Sequence, residues 1–225
     1  MLKGMAMQDA VQFLTLPDRR LAYQQQRGGA DKKSAGVVFL SGYGSDMTGT
    51  KASFLATRCA AAGCDYLRFD YRGHGQSSGV FTDGTIGDWF EDALLLFDRL
   101  TTGPQIVVGS SMCGWMALLL ALQRPEKIAA LVGIAAAPDF TERLVWPSLS
   151  PEQREVLARD GVIYDPTAPP DQRLPMTCKL IEEARNHLLL DKPLPITAPV
   201  HLLQGQKDAD VPWAYATQIA KAIGG

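Results

Sequence analysis

Between Gln105 and Gln123 the sequence reads QIVVGSSMCGWMALLLALQ, a β-branched run joined to an apolar helical run through Gly109-Ser110-Ser111. A strand that turns into a helix through a glycine and a serine holds that serine in a strained turn, with its hydroxyl lifted above the sheet edge. Ser111 is therefore the candidate nucleophile. Strand and helix backbones approach closely there, so the places two before and two after the serine must be small. Gly109 fills the first, and Cys113 stands at the second with Gly114 behind it. The thiol is expected to narrow the turn, so that Cys113→Gly should be tolerated. The competing reading is a serine that only caps the following helix.

The same kind of strand recurs along the chain. GVVFLSG (36–42), CDYLRFDY (64–71), IAALVGIAAA (128–137) and PVHLLQG (199–205) are apolar on both faces, as central parallel strands are. Helix-patterned segments separate them. TKASFLATRCAAAG ends on Gly63. TIGDWFEDALLLFDRLT opens with Thr85 and Asp88 at capping-box spacing and carries Trp89, Ala93, Leu94, Phe97 and Leu100 on one stripe. The helix after Ser111 stops before Pro125. VQFLTL and LAYQQQ flank Pro17-Asp18-Arg19-Arg20 and read as an antiparallel hairpin. Strands alternating with helices predict an α/β fold with a doubly wound, mostly parallel sheet, as one domain over 1–225. Residues 138–195 break the rhythm, with six prolines between Pro147 and Pro175. They are expected to form a short lid insertion. Its Phe140, Leu144, Val145, Trp146, Leu157, Val162 and Ile163 could roof an acyl pocket.

Composition bounds the function. The chain has 225 residues, 20% of them charged, and a net charge of −2, which offers nothing to nucleic acid or an anionic membrane. Cys59, Cys64, Cys113 and Cys178 form no CxxC pair and no zinc-like spacing with histidine. The amino terminus lacks the apolar core of a signal peptide, and no apolar run approaches the ~20 residues that span a bilayer. The expectation is a cytoplasmic protein with no metal, no cofactor, and no nucleic-acid or membrane partner.

Acyl chemistry at a serine needs backbone N–H donors for the developing oxyanion. One should come from Met112, the residue after the nucleophile. The other should come from Tyr43 in SGYGSDMTGTK, where Gly42 and Gly44 let the backbone approach a substrate. The carboxylate that orients a base should lie past the strand HLLQG, where Asp208 and Asp210 both qualify. The three histidines are poorly placed as bases. His201 lies inside a strand and is expected to pack in the core. His74 sits in the turn DYRGHGQSS, and His187 on the lid helix.

The stretches LSGYGSDMTGTKA, RFDYRGHGQSSG, GSSMCGW, RPEKIAALVGIAAAPDF and LLQGQKDADVPW resemble α/β-hydrolases from about Gly36 onward. The likeness is to the branch of mitochondrial palmitoyl-protein thioesterases and acyl-glucuronide esterases, with their bacterial relatives. It implies Ser111 as nucleophile, Tyr43 and Met112 as oxyanion donors, and Asp208 as the acid, from the pattern G-x-x-D-x-x-V-P. It also implies cofactor-free hydrolysis of a small-molecule or acylated-protein ester or thioester. The triad order in this fold is Ser, Asp, His, yet no histidine follows Asp208. The expectation is a chain that lacks the last strand, the histidine loop and the closing helix. Two readings follow: a serine hydrolase lineage without its triad histidine, or a catalytically inactive α/β-hydrolase-like binding protein. Joint survival of the serine turn, the Gly-rich loop and the acid loop favours the first.

Overall fold

A computed structural model describes residues 10–29, 35–164, 169–170 and 173–224; segment 1–9, part of the stretch read for a signal peptide, lies outside them. Strands β1 (Gln12–Thr15) and β2 (Arg20–Gln26) form the expected antiparallel hairpin, with Phe13 opposite Ala22. Then come β3 (Gly36–Leu40), β4 (Tyr66–Phe69), β5 (Gln105–Ser110), β6 (Ile128–Ile134) and β9 (Val200–Leu203). They join one seven-stranded sheet in the order β1-β2-β4-β3-β5-β6-β9. Every pair from β4 to β9 is parallel, and β2 lies antiparallel on β4.

Helices cover both faces, because strands apolar on both sides must bury both. Helix α1 (Thr50–Ala62) sets Ala52 and Cys59 against Phe39, Tyr66 and Val108, and ends at Gly63 with φ 66°. Helices α2 (Ile86–Leu100) and α3 (Met112–Gln123) fill the opposite face around Trp89, Phe97, Trp115 and Leu120. At the start of α2, Thr85 accepts from the Asp88 N–H as its spacing predicts. The reciprocal arm differs: the Asp88 carboxylate accepts the Thr85 hydroxyl and an Arg72 N–H, each at 2.8 Å. The buried stripe of α2 also differs from its sequence pattern. Leu94 and Leu100 are only half-buried, while Leu96 and Asp92 are wholly buried. Asp92 can be there because Arg19 (2.9 Å) and Arg72 (2.8 Å) pair with its carboxylate; a buried charge without partners would be expelled.

The excursion packs on itself as well as on the sheet. It comprises α4 (Trp146–Ser148), α5 (Pro151–Asp160), the hairpin β7 (Val162–Tyr164) with β8 (Pro175–Thr177), and α6 (Cys178–Ala184). Leu149, Leu157 and Ile181 form its centre, with Val145, Trp146 and Ile163 packed around them. Most of the residues expected to roof a pocket therefore build the insertion's own core. Helix α7 (Ala214–Ile223) closes the described chain through Tyr215 and Ile219. His201 is corrected: on β9, an edge strand among the described residues, it is exposed rather than packed in the core. Among the described residues no helix is long and apolar enough to cross a membrane.

Candidate active site

Ser111 stands between the end of β5 and the first turn of α3 with φ 53° and ψ −125°. Positive φ in a residue with a Cβ costs about 1–3 kcal/mol and persists only where the surroundings over-determine it. Here they do. The Ser111 N–H donates to the Ile134 carbonyl (2.9 Å), and its own carbonyl accepts from Gly114 (2.9 Å) and Ala137 (3.0 Å). Its side chain makes no capping hydrogen bond, so the helix-cap reading does not hold. Gly109 is obligatory, since a Cβ there would lie 2.2 Å from the Cys113 carbonyl oxygen. The second close approach falls at Gly114, whose added Cβ would lie 2.3 Å from that of Ala136.

The expectation about Cys113 is therefore corrected. Its side chain does not crowd the turn but points into the core, where its sulfur lies 3.0 Å from the Tyr71 hydroxyl. Both residues are fully buried, and burial pushes the thiol pKa up to about 12. Cys113 is a neutral packing and hydrogen-bonding group.

Gly42 abuts the serine: a Cβ on it would meet Ser110 O at 3.1 Å and Ser111 Cβ at 3.3 Å. This brings the loop after β3, and Tyr43 within it, beside the head of α3. Neither the Tyr43 nor the Met112 N–H has a backbone acceptor among the described residues. The Tyr43 ring stacks against Phe81, Trp89 and Phe140, and its hydroxyl donates to the Pro175 carbonyl on β8. Gly44, with φ 66°, leaves room for Leu174. Asp70, to which the sequence reading assigned no role, braces the same loop from below. Its carboxylate accepts from the Met47 N–H (2.7 Å) and the Gln76 N–H (2.9 Å), while burial raises its pKa. The signal was present in RFDYRGHGQSSG as an acid at the end of a buried strand.

At the end of β9 the two acids separate. Asp208 accepts from the Asp210 N–H (3.0 Å), the Val211 N–H (2.9 Å) and the Gln204 amide (3.4 Å), which fixes its carboxylate; Asp210 is exposed. No histidine joins this array among the described residues. His74 is buried in a cage of Phe81, Trp89 and Tyr71, its Nδ1–H donating to the Arg72 carbonyl (3.2 Å). Burial lowers its pKa and keeps it neutral, and its Nε2 has no hydrogen-bond partner among the described residues. His187 is tied to Glu183 (2.6 Å), which also receives the Gly87 N–H of α2. None of the three is hydrogen-bonded to Ser111 or Asp208. No group of three or more His, Cys, Asp or Glu that could hold a metal occurs among the described residues.

Residues 31–168 match the family model described as serine aminopeptidase, S33. The mitochondrial palmitoyl-protein thioesterase ABHD10 of Bos taurus is 39% identical over 216 residues, covering 95% of this chain and 69% of that protein. The solved structure of alpha/beta hydrolase domain-containing protein 10 from mouse superposes with a TM-score of 0.83 at 36% identity, over 95% of this chain and 84% of that one. A solved structure from Agrobacterium vitis S4 gives a TM-score of 0.88 at 35% identity, over 95% and 85%.

Proposed function

The chain belongs to the α/β-hydrolase family and is an esterase or thioesterase by lineage, and from that premise we propose that it transfers acyl groups from esters or thioesters to Ser111. The observation that carries this is Ser111 itself, held at φ 53° with a hydroxyl that makes no capping bond, next to two N–H groups that have no backbone acceptor among the described residues. The Ser111 Oγ attacks the acyl carbonyl carbon. The oxygen of the resulting tetrahedral species receives the Tyr43 and Met112 N–H groups, and the bond to the leaving oxygen or sulfur breaks as that atom takes up the proton given up by the Ser111 hydroxyl, so that an alcohol or thiol departs and an acyl-serine ester remains. Removing one such donor in a serine hydrolase costs about 10²–10³ in rate. The fixed carboxylate of Asp208 supports its reading as the acid that would orient an imidazole. Its strand lies two positions from that of Ser111, about 10 Å at ordinary strand spacing, which leaves room for a ring between them.

Substrate choice follows the relatives. Their name as palmitoyl-protein thioesterases supports a long acyl chain on a thiol. The Tyr43 ring packs against Phe81 and Phe140, and apolar side chains of this kind suit such a chain. One observation favours a second reading: no resident histidine touches Asp208, so the chain would capture an acyl group and release it slowly or not at all, as a catalytically inactive binding protein. Incubation with p-nitrophenyl octanoate followed by peptide mass mapping separates the outcomes. An octanoyl adduct on Ser111 supports acyl transfer, and its decay or persistence tells turnover from capture. An adduct on any other serine, or none, contradicts the assignment.

A further inference from the structure

Beside the nucleophile, on the α1 face of the sheet, lies a cleft of about 180 Å³ that the acyl-transfer scheme leaves unused. Its walls include Gly42, Ser45, Asp46, Thr50, Lys51 and Ser110. Helix α1 begins there with no side-chain cap and no acid in its first turn. Its first helical bond is Ser53 N–H to Gly49 O, so the Thr50, Lys51 and Ala52 N–H groups have no acceptor among the described residues. Lys51 has no ion pair among them either. The second, independent feature is Ser110. It is only 6% exposed, and no hydrogen bond to its hydroxyl occurs among the described residues. Side chains alternate along a strand, and Val108 packs on Ala52 and Phe39 of the α1 face, so Ser110 two places on points to the same face and into the cleft.

We propose that this cleft is an anion site that receives a carboxylate or phosphate carried by the leaving group of the substrate. A helix start whose first N–H groups have no acceptor among the described residues, a lysine without an ion pair there and the buried Ser110 hydroxyl offer donors and positive potential, whereas the buried Ser41 hydroxyl already donates to the Asp46 carbonyl. Asp46 is the opposing charge. Its carboxylate is turned onto the Thr48 N–H (2.7 Å) and hydroxyl (2.6 Å), which leaves the helix start open but weakens the site. Gly42 lines the cleft and touches Ser111, and Ser110 precedes it, so a bound anion sits one residue from the reacting serine. The leaving-group part of the inference rests on the acyl-transfer reading; the anion site does not.

Inorganic phosphate titrated into the isotope-labelled chain, followed by amide NMR, tests the site. Saturable shifts at Thr50, Lys51, Ala52 and Ser110 are expected, with affinity weakened roughly fivefold in Lys51→Gln, tightened in Asp46→Asn, and unchanged in Ser111→Ala. No saturable shift, or equal affinity in Lys51→Gln, overturns it. A second arm compares Ser111 acylation by p-nitrophenyl octanoate and by its analogue bearing a ring carboxylate on the leaving group. The ratio should favour the carboxylate ester and fall toward one in Lys51→Gln. A ratio of one in the unaltered chain, with phosphate still binding, would assign the cleft to a free anion and overturn the leaving-group placement. Failure of both esters to acylate Ser111, with phosphate binding intact, would overturn the acyl-transfer reading and leave the anion site standing.

Discussion

Cys113→Gly should destabilise the protein substantially. Cys113 and Tyr71 are both fully buried, and the 3.0 Å contact between sulfur and hydroxyl is the hydrogen bond the structure gives the Tyr71 hydroxyl. Removing the thiol leaves that hydroxyl buried without a partner, which costs about 1–3 kcal/mol. The vacated volume adds about 1 kcal/mol at the scale of one lost methyl-sized group. Glycine in a helical position adds up to about 1 kcal/mol more. The expected total is about 3 kcal/mol, a fall in midpoint of roughly 6–12 °C for a chain of this size. Circular dichroism melts of the unaltered chain, Cys113→Gly, Tyr71→Phe and the double variant measure it. With Tyr71→Phe in place there is no hydroxyl to orphan, so the cost of Cys113→Gly should shrink by about 1–2 kcal/mol. A melt that stays level or rises in Cys113→Gly would refute the reasoning and restore the view that the thiol merely crowds the turn.

Tyr43→Phe deletes the hydroxyl that holds β8 to the loop after β3; about 1 kcal/mol should be lost, seen as faster amide exchange confined to the β7–β8 hairpin. His74 is held neutral by burial, so its folded pKa lies below the unfolded value. Its contribution is complete above about pH 6.5 and is lost as pH falls below that, where the unfolded chain takes up the proton. The His74→Phe variant should therefore show a flatter melting-point profile between about pH 6.5 and 5 than the unaltered chain; parallel profiles would contradict this. Buried Asp70 and Asp139 have raised pKa values and act in the opposite direction, but equally in both proteins. Finally, His187→Gln and His201→Gln should leave p-nitrophenyl ester cleavage unaltered, because neither ring touches Ser111 or Asp208; a large loss in either would identify a resident base.

The strand–glycine–serine–helix pattern and the two-sided apolar strands were legible because they are local: a turn, a period, a run of β-branched residues. Ser111 and Gly109 fall in the strand-to-helix turn that those patterns imply, and Tyr43 and Asp208 lie in the loops that follow β3 and β9. What escaped was whatever depends on partners far along the chain. Asp92 is buried inside a helix only because Arg19 and Arg72 arrive from two other segments, which no local pattern announces. The direction of the Cys113 side chain depends on Tyr71, 42 residues away. His201 looked like a core residue because β9 is read as one more central strand, whereas β6 covers only one of its sides. The apolar residues of 138–195 could equally roof a pocket or pack on each other, and sequence period does not distinguish the two.

The central claim is that Ser111 is the acyl acceptor. A fluorophosphonate probe phosphonylates a serine whose hydroxyl is presented and activated and whose developing oxyanion is stabilised, so the labelled peptide reports these together. One labelled site is expected, in the peptide spanning Ser111, abolished by Ser111→Ala while the variant keeps its fold by circular dichroism. Label on a different serine, or undiminished label in Ser111→Ala, would contradict it.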